Sequence, residues 1–165
     1  MSDKFEISKA SGPHFQLKNM VGEWEGTATT WFEPDTIADQ SPITGSMRLI
    51  LGGRFLLHEY NTKFGGQPIE GLAIFGYHLA LEQFQSAWMD SFHNGTAIMF
   101  SEGKRSGGDF SILGSYAYVT PEMEQHWGWR TTIESDADTV TIIAYNVTPE
   151  GEESKATEIL YRRVR

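Results

Sequence analysis

Glu59, Asp90 and Arg130 each stand among large apolar residues in the sequence, and these charged groups are the first candidates for chemistry. Asp90, for example, comes two residues after Trp88, and side chains two apart on a strand share a face. A charge buried alone costs several kcal/mol, so a charge that points into a core must pair or meet a polar ligand. We therefore predict that Arg130 pairs with Asp90 or Glu59 inside the fold. The alternative is that these charges stand at strand ends in water.

If the charged groups face an interior, they can orient the polar end of a small amphiphilic ligand while aromatic rings line the apolar part. The predicted ligand-binding residues are Trp24, Glu59, Phe75, Trp88, Asp90, Arg130, Tyr145, Tyr161 and Arg163. A second hypothesis is an enzyme, an isomerase or hydrolase, in which Asp90 or Glu59 is a general base whose pKa is raised by burial.

Motifs for metal, phosphate or nucleophilic chemistry are missing. The histidines do not form His-x-His or His-Glu-x-x-His spacings, and most are predicted to lie on the surface or in loops. They are His14, His58, His78, His93 and His126. There is no nucleophile elbow or phosphate loop, and without cysteine there is no thiolate chemistry. We therefore predict no metal site, no cofactor and no motif-defined catalytic residue.

Ten segments with strand-like patterns follow one another along the chain. They cover residues 23–33, 43–51, 54–64, 68–78, 83–91, 96–102, 109–118, 125–135, 139–147 and 155–164. Short connections such as Gly65-Gly66 and Asn94-Gly95 predict antiparallel hairpins. The predicted fold is all-β: a single antiparallel up-and-down barrel, which removes exposed sheet edges. A two-sheet sandwich is the competing layout.

A short helix is predicted before the first strand. Pro13 can open this helix and Gly22 would end it. Residues 1–12 are predicted to be a loose lead-in, and residues 36–42 a polar loop. Trp24 begins a strand face whose later residues are small, which suits a barrel that is plugged at one end and open at the other.

Composition limits the partners. The 165 residues fit one domain, 1–165, and the net charge of -9 argues against a nucleic-acid partner and against adsorption to anionic membranes. No segment approaches the ~20 apolar residues of a membrane span, and the start lacks a signal-peptide run. We predict a cytoplasmic protein. A third hypothesis is a homodimer whose face includes exposed aromatics such as Trp31 and Trp127.

The sequence Gly22-x-Trp24 after a short helix resembles the opening signature of the calycin barrels, the lipocalins and fatty-acid-binding proteins. In that superfamily a basic residue on the last strand packs over the tryptophan. Arg162, Arg163 or Arg165 could take this place here, and strand parity with Ile159 and Tyr161 favours Arg163. A haem-binding branch of small barrels opens similarly but uses a histidine near its C-terminus, and this chain has none after His126.

A closer resemblance covers nearly the whole chain, which is similar to DUF1579, a bacterial family of unknown function. The matching pieces include Val21-Gly22-Glu23-Trp24-Glu25-Gly26, Leu51-Gly52-Gly53-Arg54-Phe55-Leu56, Trp88-Met89-Asp90-Ser91 and Glu158-Ile159-Leu160-Tyr161-Arg162-Arg163. The family commonly has Asp after its Gly-Tyr pair, where this chain has His78. The resemblance implies a barrel and leaves the function unassigned.

Overall fold

A computed structural model describes residues 2–165. Ten antiparallel strands form a closed barrel in which consecutive strands pair and the first strand pairs with the last. The elements are α1 Ser2–Ser11, α2 Pro13–Asn19, β1 Gly22–Glu33, β2 Thr36–Ile50, β3 Phe55–Phe64, β4 Gln67–His78, β5 Gln83–Asp90, β6 Met99–Lys104, β7 Phe110–Val119, β8 Glu124–Ser135, β9 Thr139–Val147 and β10 Glu153–Arg163, with a 3₁₀ turn at Leu51–Gly53. The predicted ten-strand barrel is confirmed, and the sandwich is wrong.

Two predicted segments differ from the structure at the start of the chain. Most of the predicted lead-in is the helix α1, which is held by contacts with later residues: the Phe5 ring meets the His14 ring edge-on at 4.9 Å and lies 4.8 Å under the Arg54 guanidinium. Local patterning cannot show such contacts. Met1, also in that lead-in, lies outside the described residues. The predicted loop 36–42 belongs to β2, where it pairs with β1.

Turn chemistry sets the register at one end of the barrel. Gly65 and Gly66 have φ values of 55° and 82°, and they join β3 to β4 as the two-residue hairpin that was predicted. The connection of β5 to β6 is instead the longer loop 91–98. The predicted antiparallel hairpin at Asn94-Gly95 is therefore present, but its loop is longer because its first residues fold over the Asp90 carboxylate.

The other end of the barrel is closed by a floor built on Trp24 and Arg163. The indole is 1% exposed, and the guanidinium lies 4.3 Å from its ring centroid. Arg163 also donates hydrogen bonds to the carbonyls of Val21 at 2.6 Å, Asn19 at 3.0 Å and Ala137 at 2.7 Å. One side chain thus ties the end of α2, the start of β1 and the β8–β9 turn together.

The ladder between β6 and β7 is the shortest in the barrel. Only two residue pairs, Ser101 with Gly114 and Glu102 with Leu113, join these strands among the described residues, whereas every other neighbouring pair is joined by at least six. We call the end opposite the floor the open end. The part of this boundary toward the open end, where Met99 and Tyr116 do not pair with each other, is called the seam.

Candidate functional site

A cavity of about 90 Å³ lies inside the barrel. Its lining includes His58, Tyr60, Phe75, Trp88, Asp90 and Trp129. A second space, a cleft of about 460 Å³, lies at the open end beside the seam. Cavity and cleft share the lining residues Thr30, Trp88, His93, Trp129 and Thr157, so the two spaces adjoin.

A carboxylate stands where the cavity meets the cleft. The side chain of Asp90 is 0% exposed. Its Oδ1 accepts backbone N–H groups from Phe92 at 3.0 Å, His93 at 2.5 Å and Asn94 at 3.3 Å, and its Oδ2 lies 2.6 Å from His93 Nδ1. The loop after β5 therefore wraps a buried charge and carries an imidazole to the mouth of the cavity.

The electrostatics of Asp90 differ from the sequence-based expectation. Burial raises the pKa of this carboxyl, but the hydrogen bonds from the His93 imidazole and from the backbone N–H groups of Phe92 and His93, with the nearby His93 charge, together hold the pKa below its ordinary value. The prediction of a general-base carboxyl with a raised pKa is wrong for Asp90. This group is a carboxylate at neutral pH and accepts hydrogen bonds only.

Tyr60 links the carboxylate to the aromatic wall. Its hydroxyl donates to Asp90 Oδ2 at 3.1 Å and accepts from Trp88 Nε1 at 2.9 Å. Burial and the nearby Asp90 charge raise the pKa of Tyr60 well above its ordinary value, so it stays protonated. The tyrosine ring crosses Gly71 on the neighbouring strand, and a Cβ at that position would collide with the ring. The glycine therefore makes this reach across β4 possible.

A second polar pair lies deeper, toward the floor. His58 Nε2 and the Tyr161 hydroxyl are 3.0 Å apart, and both side chains are buried. Burial lowers the pKa of His58 to about 3 and raises the pKa of Tyr161, so both groups are neutral at pH 7. The neutral pair satisfies two buried polar groups without placing a charge in the core. The prediction that most histidines lie on the surface or in loops holds for His78, His93 and His126, whereas His58 and His14 are buried.

Aromatic rings form the walls of the cleft. Trp88 and Trp129 are stacked with centroids 5.4 Å apart and planes 22° apart. Trp31 also lines the cleft, although parity in β1 predicts that it points outward from the barrel. Register shifts on either side of Trp31 interrupt the alternation of side chains. This bulge turns the indole toward the mouth.

A family comparison decides the relationship. The model of the family described as "Protein of unknown function (DUF1579)" matches residues 9–163. The chain belongs to the DUF1579 family. None of the curated proteins matches the sequence of this DUF1579 member.

Solved structures share the fold of the DUF1579 chain. Rv2717c from M. tuberculosis aligns with a TM-score of 0.63 and 13% identity, over 93% of this chain and 98% of that one. The S-type phycobiliprotein lyase CPES from Guillardia theta aligns with a TM-score of 0.55 and 9% identity, over 97% of each chain. At these identities the likeness shows the fold alone. Neither helix among residues 2–165 has the length and apolar character needed to cross a bilayer.

The predicted ligand-binding residues of the DUF1579 chain fall into three places. Phe75, Trp88 and Asp90 line the cavity. Trp24, Tyr161 and Arg163 belong to the floor and the core just above it, and they are not among the residues that line the cavity. The stacking of Arg163 on Trp24, implied by the calycin resemblance, is confirmed. The remaining three residues lie on the outside: Glu59, Arg130 and Tyr145.

The outward position of Glu59 and Arg130 overturns the predicted internal ion pair. Arg130 donates two hydrogen bonds of 2.6 Å to Glu153 and lies 4.3 Å over the Tyr145 ring, while Glu59 lies 3.8 Å from Arg48 at the surface. Strand β3 has apolar residues on both faces, so Phe55 and Leu57 suggested the wrong inner face. Asp90 does face inward, but it is paired with His93 and Tyr60.

Sequence reasoning missed four residues of this site: His58, Tyr60, His93 and Trp129. Strand alternation in β8 gives a usable signal for one of them, because Trp129 points to the opposite face from its neighbour Arg130, which faces outward. The loop position of His93 gives no such signal. The homodimer predicted from Trp31 and Trp127 stays a prediction, although Trp31 now belongs to the cleft.

Proposed function

We propose that this DUF1579 member binds a small amphiphilic molecule whose apolar part lies in the cleft and whose polar end reaches the cavity. The observation that carries the proposal is the junction of the two spaces. There a buried, hydrogen-bonded carboxylate, a tyrosine hydroxyl and an imidazole lie directly beside stacked indoles. Ligand sites typically combine mostly apolar walls with a few convergent polar groups.

The sizes of the two spaces suit different parts of such a ligand. The cleft of about 460 Å³ lies within the common range of ligand pockets, about 300–1,000 Å³. The cavity of about 90 Å³ is much smaller, and its lining includes the buried Ser86 and Ser101 as well as apolar groups. A compact polar or mixed end group fits there better than a long hydrocarbon chain.

A probe titration tests the proposal with two variants, in each of which one alanine is replaced by leucine. The probe is 8-anilinonaphthalene-1-sulfonate, an amphiphile whose fluorescence rises in apolar sites. Ala28 lines the cavity and Ala87 faces outward on β5, so Ala28→Leu and Ala87→Leu add the same group inside and outside the barrel. We expect Ala28→Leu to weaken probe binding at least about tenfold, since about 1.4 kcal/mol is a factor of ten. The Ala87→Leu variant should bind like the unchanged protein.

The outer wall also carries apolar groups, which makes the control necessary. Phe100 is 72% exposed and Leu113 is 52% exposed on the outside of β6 and β7. A probe bound there would respond to Ala87→Leu and ignore Ala28→Leu. That result would contradict the proposal. Native mass spectrometry of protein purified from its own host then identifies any molecule that the barrel retains.

A further inference from the structure

His93 combines a buried partner with an accessible ring. Its Nδ1 lies 2.6 Å from Asp90 Oδ2, and its side chain is 23% exposed while that of the aspartate is 0% exposed. The imidazole centroid lies 5.5 Å from the ring of Trp88 and 5.9 Å from that of Trp129. His93 lines both the cavity and the cleft, so a molecule at their junction meets this ring.

The hydrogen bonds around Asp90 fix the tautomer of the imidazole. The carboxylate has no proton to give, so Nδ1 of a neutral His93 must be the donor in the 2.6 Å contact. Nε2 then carries the lone pair. Among residues 2–165 no hydrogen bond involves Nε2. The imidazole that carries this lone pair lies beside the Trp88 and Trp129 indoles and lines both spaces.

We propose that His93 is a general base that takes a proton, through Nε2, from a weak carbon or oxygen acid bound at the junction, with Asp90 as its positioning residue. The proposal rests on the proposed function, because the acid has to occupy the same cleft. In this step the substrate C–H or O–H bond breaks, its electron pair stays on the substrate, and an N–H bond forms at Nε2. The proton later returns to the product or passes to water.

The surroundings favour this step. The imidazolium that forms lies against a carboxylate, and opposite charges in contact stabilise each other where water is scarce. The three backbone N–H groups on Oδ1 and the Tyr60 hydroxyl on Oδ2 hold the carboxylate in place before the proton moves. Little reorganisation is then needed during the transfer, and such preorganisation is the main source of electrostatic catalysis.

The probe for this activity is 5-nitrobenzisoxazole, which needs only a base in an apolar site. Removal of the proton on C3 forms the nitrile, the N–O bond breaks, and the coloured 2-cyano-4-nitrophenolate is released. We expect the protein to exceed free imidazole at equal concentration by about 10²-fold, the lower range of general-base catalysis. His93→Gln should remove at least nine-tenths of this excess. The control is His126→Gln, since His126 is exposed and lies 2.9 Å from Glu124.

Asp90→Asn tests the positioning role through the tautomer. The backbone N–H groups that surround Oδ1 will retain the amide oxygen there, which points the amide NH₂ at Nδ1. The proton of His93 then moves to Nε2, and the base is lost. Nitrogen-15 NMR of the imidazole should show Nδ1–H in the unchanged protein and Nε2–H in the variant, with probe turnover reduced about as far as in His93→Gln.

The outcomes separate this inference from the proposed function. Suppose that anilinonaphthalene sulfonate binds as expected, but 5-nitrobenzisoxazole is turned over no faster than by free imidazole, or equally fast in His93→Gln. That result overturns the general base and leaves the binding function intact. An Nε2–H tautomer in the unchanged protein also overturns it. Failure of the anilinonaphthalene sulfonate titration overturns both proposals. Turnover that is lost in His93→Gln and retained in His126→Gln supports the base.

Discussion

Replacing Arg163 by Lys tests whether a single guanidinium seals the floor of the barrel. The arginine makes three hydrogen bonds to backbone carbonyls, at 2.6, 2.7 and 3.0 Å, and stacks at 4.3 Å over Trp24. A lysine keeps the charge, but its single ammonium cannot reach carbonyls at the end of α2 and in the β8–β9 turn together. We therefore expect Arg163→Lys to lose two of the three hydrogen bonds and to weaken the stacking on Trp24.

The magnitude follows from these losses. A hydrogen bond to a charged group contributes about 1.5–3 kcal/mol and an exposed cation–π contact about 0.5–1 kcal/mol. Arg163 is half-buried, so the lower values apply, and Arg163→Lys should lower the free energy of unfolding by about 3 kcal/mol. For a chain of this size that corresponds to a Tm lower by about 6–12 °C.

Urea unfolding followed by tryptophan fluorescence measures the effect. Arg162→Lys is the matched control, because Arg162 is the exposed neighbour on the same strand and its side chain makes no hydrogen bond or ion pair among the described residues. It should change stability by less than about 0.5 kcal/mol. Equal losses in the two variants would refute the sealing role of Arg163, as would an Arg163→Lys protein that unfolds at the original urea concentration.

Two further predictions concern the interior. Gly71→Ala should lower the free energy of unfolding by about 2–4 kcal/mol, because the added methyl displaces the Tyr60 ring and breaks its hydrogen bonds; an unchanged urea midpoint contradicts this. His58 is neutral when folded, with a pKa of about 3, but binds a proton below pH 6.5 when unfolded, so its contribution to stability is complete above pH 6.5 and is lost as pH falls toward 3. His58→Gln should therefore remove about 1.4 kcal/mol per pH unit from the slope of stability between pH 6 and 4, measured by urea unfolding at each pH, whereas an unchanged slope refutes the neutral buried state.

The architecture was predictable because its signals are local. A period of two in the apolar residues and glycine pairs such as Gly65-Gly66 define antiparallel strands without long-range information. Strand parity, with the calycin resemblance, was enough to place Arg163 over Trp24. The helix α1 escaped prediction because Phe5 docks against His14 of the next helix and against Arg54, which is distant in sequence.

The site was less predictable because its contacts join distant elements. Tyr60 of β3 reaches Asp90 of β5 across the glycine of β4, and no local pattern reports such a bridge. Parity named Asp90 as inward, yet the same rule failed for Glu59, whose strand is apolar on both faces. His93 depends on a loop that curls around a carboxylate, so its position follows from tertiary contacts rather than from spacing.

The short ladder between β6 and β7 is the boundary of the barrel that the fewest residue pairs hold together. Parting these strands at the seam breaks two residue pairs, whereas parting any other neighbours breaks at least six. Local opening can cost less free energy than global unfolding, and it is favoured where few contacts hold the elements together. We therefore expect the β6–β7 boundary to be the first part of the wall to open, while the floor held by Arg163 stays closed.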